Sequence, residues 1–146
     1  MNFGLIGASL VLGLSAIGSG IGVTIAGQAV IGAWKKCYIS NKPVSMLMVA
    51  FGGAPLTQTF YGYILGLLFM KPAALANPQL GQFYLGLGIF SGLAIGISAI
   101  AQGKCGAAGA DALGQTGKGF ANYMMLVGLC ETVAIFVLVL SMVSLG

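Results

Sequence analysis

Glu131 is an acid inside an otherwise uncharged stretch, Gly119 to Gly146, and that setting makes it the first candidate for chemistry. It lies 12 residues after Gly119 and 15 before Gly146, and a helix rises about 1.5 Å per residue, which puts it near the middle of a helix crossing a bilayer. An ionisable group at that depth costs at least about 2.5–3.5 kcal/mol on insertion scales, so it is a functional candidate by default. If the connection before that helix centres near residue 116, Gln102 lies 14 residues before it and Glu131 15 after it, so antiparallel helices set the two side by side. Thr57 and Tyr61 are one helical turn apart and share a face, with Gln58 next to Thr57 around the helix. Pro55 just before them removes a backbone donor and loosens a carbonyl of the preceding turn.

Taken singly, each polar residue could be glue between helices, worth about 1 kcal/mol. Together they offer one carboxylate, two amide oxygens and two hydroxyls. Hard cations take several oxygen ligands, and one carboxylate matches a monovalent ion in charge. Na⁺ would leave the site neutral, whereas Mg²⁺ or Ca²⁺ would leave a positive charge in hydrocarbon. A proton on Glu131 also gives neutrality, but it requires a single acceptor and leaves the second glutamine and Thr57 without a role. Na⁺ is therefore the expected occupant, with H⁺ as the alternative.

The elements that position these groups follow from composition. Of 146 residues, 58% are hydrophobic and 5% charged, with mean hydropathy +1.02, against about 25% charged in a soluble domain. Met1 to Trp34, Pro43 to Met70, Pro72 to Gly103 and Gly119 to Gly146 are each long enough to cross hydrocarbon, which takes about 20 residues. The fold class expected is an all-α membrane protein of four transmembrane helices, placed at about 3–34, 44–70, 82–113 and 119–145. Too little chain remains outside these spans for a soluble catalytic domain. Met1 to Trp34 has no basic start and is too long for a signal sequence, so it is expected to be retained. Cys37, Cys105 and Cys130 form no CxxC pair and are odd in number, which reads as apolar filling rather than as a disulfide framework or a thiolate metal site.

The net charge of +4 comes from lysines at the ends of spans, which argues for topology and against nucleic acid. Lys35, Lys36, Lys42 and Lys118 lie in the odd-numbered connections and Lys71 in the middle one, so both termini are expected outside. Lys104 and Asp111, seven apart on one face of the third helix, are expected to be topological, Lys104 snorkelling and Asp111 pairing with it or with Lys118. Trp34 and Tyr38 read as interface anchors.

The halves repeat. Ser15-Ala16-Ile17-Gly18-Ser19-Gly20 aligns with Ser98-Ala99-Ile100-Ala101-Gln102-Gly103, and Thr57 aligns with Thr132 at the offset that pairs Leu56 with Glu131. The expected organisation is two tandem hairpins, 1–72 and 73–146, the second carrying the glutamate. Each hairpin crosses twice, so the repeat is parallel, unlike the inverted repeats of many alternating-access transporters. Gly18, Gly22 and Ala26 form a stripe of small residues that lets helices approach closely. The glycine excess exceeds what one helix pair requires and points to identical copies packed together.

These residues resemble the duplicated proteolipid, the K or c subunit, of rotary V/A-type ATPases. The resemblance spans essentially the whole chain and rests on the four spans, the glycine-rich first and third helices, Ala101-Gln102-Gly103-Lys104 and Glu131-Thr132. Pro55-Leu56-Thr57-Gln58 with Tyr61-Gly62 is similar to the sodium-carrying branch. The resemblance implies that Thr57, Gln58, Gln102 and Glu131 supply side-chain oxygens to Na⁺, that the Ala54 carbonyl adds another, and that Tyr61 hydrogen-bonds the carboxylate. Leu56 stands opposite Glu131 in the repeat, implying one ion per four helices. It further implies a rotor ring of identical copies with no catalytic site of its own, set in membrane lipid, with a prokaryotic plasma membrane as the expected location. The ring would turn against a stator subunit bearing an arginine, while a central-stalk subunit grips its cytoplasmic loops.

A small four-helix multidrug or metabolite exchanger is the alternative, but it requires an aromatic cavity near the acid. A structural tetraspan or junction-forming channel would not require Glu131.

Overall fold

The computed structural model describes residues 2–145; Met1 and Gly146 lie outside the described residues. Four helices are long and apolar enough to cross a membrane: α1 (Phe3–Ile39), α2 (Met48–Ala76), α3 (Gly81–Thr116, entered through a short 3₁₀ turn at Pro78–Leu80) and α4 (Phe120–Val143). The all-α expectation holds. The boundaries shift, because α1 runs on to Ile39 and α2 to Ala76. Lys71 and Pro72 therefore sit inside α2 rather than in a loop; the fixed φ of proline suits the first positions of the last helical segment, Lys71–Ala76.

Local chemistry sets the ends. Asn2 caps α1 by accepting the amides of Gly4 and Leu5 at 3.0 and 3.3 Å. Gly117 closes α3 in the left-handed conformation, φ 67°, its amide donating to the Leu113 carbonyl at 2.8 Å. α2 is not regular. Pro55 interrupts it with a 3₁₀ turn at Ala54–Leu56, and Ile64–Met70 winds as a π-helix.

α1 and α3 pack along most of their length, with backbones almost touching. A methyl group added to Gly18 would run into the backbone of Gly96, and one on Gly22 into that of Ala99. This is the small-residue stripe expected from the sequence, where absent side chains allow dispersion between main chains. α2 lies against α1 through Gly62 on Ser15 and Gly66 on Ala8. α4 lies against α3 through the Ser91–Ser141 hydroxyl pair at 2.8 Å, and meets α2 where Phe51 and Phe120 stack edge to face at 5.4 Å. Two apolar clusters result, one around Ala8, Leu65, Tyr84 and Leu138, the other around Val30, Met48, Phe51 and Val127.

Asp111 does not pair with Lys104 or Lys118. It accepts from Lys36 Nζ at 2.8 Å, because the extra length of α1 brings Lys36 level with it across the α1–α3 contact. Lys104 lies on the exposed face of α3. The Trp34 indole donates to the Ser45 carbonyl at 3.2 Å, tying α1 to the following loop, while Tyr38 stays exposed.

Candidate functional site

The polar residues singled out in the sequence meet at one place, contributed by α2, α3 and α4. Glu131 Oε1 accepts from the Tyr61 hydroxyl at 2.6 Å, and Glu131 Oε2 accepts from Gln102 Nε2 at 3.2 Å. Gln102 and Glu131 meet across the α3–α4 hairpin, the former 14 residues before the end of α3 at Thr116 and the latter 11 residues after the start of α4 at Phe120. Tyr61 arrives from α2, whose Gly62 lets that helix settle on α1 at the same level.

Behind the carboxylate the network continues inward. Gln102 and Gln58 are both fully buried, and Gln58 Nε2 donates to Gln102 Oε1 at 2.8 Å. The Thr57 hydroxyl lies 3.1 Å from Gln58 Oε1 and 3.0 Å from the Ala54 carbonyl. That carbonyl belongs to the 3₁₀ turn at Pro55, so the broken helix delivers a main-chain oxygen to the polar cluster. All six candidate residues thus belong to one connected set: Glu131, Gln102, Gln58, Thr57, Tyr61 and the backbone of Ala54.

An sp² oxygen has two lone pairs. Gln102 Oε1 accepts from Gln58, and Gln58 Oε1 from Thr57, which leaves each one further lone pair. Glu131 receives two donors and acts purely as an acceptor. The set thus retains free oxygen lone pairs, the donor type that hard cations take.

Two partners escaped the sequence reading as parts of the site. Gln102 Nε2 also donates to the Val127 carbonyl at 3.1 Å, and the Ser98 hydroxyl donates to the Cys130 carbonyl at 2.6 Å. Ser98 precedes Gln102 by four residues and so shares its face of α3, a signal that was available. The Val127 carbonyl carries no sequence signal. Thr132, beside Glu131, turns away to bond the Leu129 carbonyl and is exposed.

Residues 85–144, which include Gln102 and Glu131, match the family model of the ATP synthase C subunit. Over 143 residues the chain is 32% identical to the A-type ATP synthase subunit K of Methanocaldococcus jannaschii. By sequence the chain is similar to ATP synthase subunits C and K. The alignment takes in 97% of the chain and 61% of that relative, so the chain spans about three fifths of the relative's length.

Proposed function

We propose that this chain is a rotor-ring subunit of a V/A-type rotary ATPase or ATP synthase, in which Glu131 binds and releases the coupling ion. The observation that carries the reading is the bonding of Glu131 to Tyr61 and Gln102, with Gln58 and Thr57 behind them, in the middle of a four-helix membrane protein. The subunit has no catalytic chemistry of its own in this reading; ATP is handled elsewhere in the complex. Its tandem hairpins, α1–α2 and α3–α4, supply one ion site between them.

Na⁺ is the coupling ion favoured over H⁺. The donor set is entirely oxygen and includes one carboxylate, which matches a hard monovalent cation in type and charge. Glu131, the oxygens of Gln102, Gln58 and Thr57, and the Ala54 carbonyl would hold it, with Tyr61 steadying the carboxylate. An occupied site is neutral and can face hydrocarbon; an empty carboxylate cannot without the cost of an unpaired charge. A stator arginine that competes for Glu131 would release the ion at one point of the turn. Identical copies complete the ring, a central-stalk subunit meets the loops on the lysine-rich side, and both termini face outward from the membrane.

The exchanger reading loses ground. Glu131 is surrounded by amides and hydroxyls already bonded to one another. The nearby groove between α3 and α4, of about 240 Å³, is lined by small and apolar residues with Tyr123 and does not include the acid.

A hydrophobic carbodiimide attacks protonated carboxyl groups, and its reaction with Glu131 can be read by mass. Protection by NaCl, but not by KCl at equal ionic strength, is the expected result. Labelling that follows pH alone would assign the site to H⁺.

A further inference from the structure

Two thiols touch beside Glu131, and the site described above uses neither. Cys105 Sγ on α3 and Cys130 Sγ on α4 are 3.3 Å apart, and both cysteines are free and half-buried. Cys130 immediately precedes Glu131, and Cys105 follows Gln102 by three residues. The pair thus joins the same two backbones that carry the carboxylate and its amide donor. The groove between α3 and α4 is lined by Cys105, Ala108, Tyr123 and Leu126, of which Ala108 and Leu126 are exposed. A small apolar reagent dissolved in the membrane has a route to Cys105, which is the first of the two to react.

We propose that Cys105 and Cys130 form an oxidisable dithiol whose disulfide clamps α4 to α3 next to Glu131. The oxidant is a low-molecular-weight apolar disulfide. One cysteine gives up its proton and attacks a sulfur of the reagent, whose S–S bond breaks and whose other half leaves as a thiolate and takes up a proton. The second cysteine, also deprotonated, attacks the mixed disulfide at the first cysteine's sulfur, forms the Cys105–Cys130 bond and expels the remaining half, which is protonated in turn. Two cysteine sulfurs are oxidised, the two reagent sulfurs are reduced to thiols, and the protons balance. The Ser98 hydroxyl already ties the Cys130 carbonyl to α3, so a covalent bond at the same residue removes what freedom that turn of α4 retains. The consequence for Glu131 rests on the reading above, in which the carboxylate must open to exchange its ion.

The test uses the full chain in detergent, in a Cys37→Ala background, treated with dithiodipyridine. The expected product is lighter by two hydrogens, carries no adduct, resists alkylation by maleimide and reverts with dithiothreitol. Cys105→Ser and Cys130→Ser, with the alanine variants as a check on folding, each keep one thiopyridine adduct. Stable adducts on both cysteines, or two unreacted thiols, would overturn the dithiol. In the same samples the rate at which carbodiimide labels Glu131 should fall several-fold on oxidation and recover on reduction; an unchanged rate overturns the clamp. Na⁺ protection of the reduced protein reports the ion reading separately, since disulfide formation does not depend on it.

Discussion

In the proposed function the charge of Glu131 carries the ion, and glutamine, with nearly the same shape and its own hydrogen-bonding capacity, separates charge from shape. Glu131→Gln should abolish Na⁺-dependent transport by the assembled complex while the purified chain keeps its helical content and thermal transition; transport at the parent rate would remove the carboxylate from the mechanism. Tyr61 has a narrower role. Its hydroxyl donates to Glu131 Oε1 at 2.6 Å, and a hydrogen bond to a charged group contributes about 1.5–3 kcal/mol. Tyr61→Phe should then raise the Na⁺ concentration giving half-protection from carbodiimide by about 10–150-fold. An unchanged midpoint would mean that the hydroxyl does not hold the carboxylate in the ion-bound state. Gln102 differs in kind from both, since it bonds Glu131, Val127 and Gln58 together and ties three helices at one depth.

At the level of helices, glycines on α1 divide into two sets with opposite expectations. Gly18 and Gly22 lie against the α3 backbone, where any Cβ collides. Overpacking in a filled core costs about 1–3 kcal/mol or more, so Gly18→Leu should lower the thermal transition in detergent and loosen the α1–α3 pair. Gly13, Gly20 and Gly27 recur every seven residues, and nothing among the described residues approaches within 4 Å of a Cβ at any of them. Gly20→Leu should leave the transition of the single chain unchanged yet, if identical copies pack on that face, shift native mass spectra from ring to single subunit. A ring that survives Gly20→Leu would place the contact between copies elsewhere.

Considered whole, the molecule concentrates its polar groups in a central layer between two apolar clusters and its charges near the ends of the helices, Glu131 and Lys104 excepted. The Lys36–Asp111 pair joins α1 to α3 at one such end, with side chains 63% and 48% exposed. Exposed ion pairs contribute about 0.2–1 kcal/mol. A double-mutant cycle with Lys36→Met and Asp111→Asn should give a coupling in that range that shrinks with added salt; a coupling well above it would mean that assembly buries the pair. The lysines near the α1–α2 and α3–α4 turns, Lys35, Lys36, Lys42 and Lys118, outnumber Lys71 near the end of α2, which makes a further expectation at this scale. A tag before Phe3 should be cleaved by protease added outside right-side-out vesicles, and protection would invert the orientation.

Much of this was legible from residue order. Hydrophobic runs of spanning length set the four helices, since a bilayer demands internal hydrogen bonding and length in the same segments. Counting from a centre near residue 116 placed Gln102 beside Glu131, and the two do bond, although the turn itself lies slightly later, between Thr116 and Phe120. The nearness of Cys105 to Cys130, 3.3 Å between sulfurs, carries no local signal, because the two are 25 residues apart and share no CxxC spacing. Only the tertiary structure decided how the hairpins meet. The register of α1 on α3 comes from glycine contacts far apart in the chain, and it is this register that gives Asp111 to Lys36 rather than to a lysine on its own helix. Likewise the glutamines of α2 and α3 bond to each other only because both helices close on α1, a packing of shape against shape that no local pattern encodes.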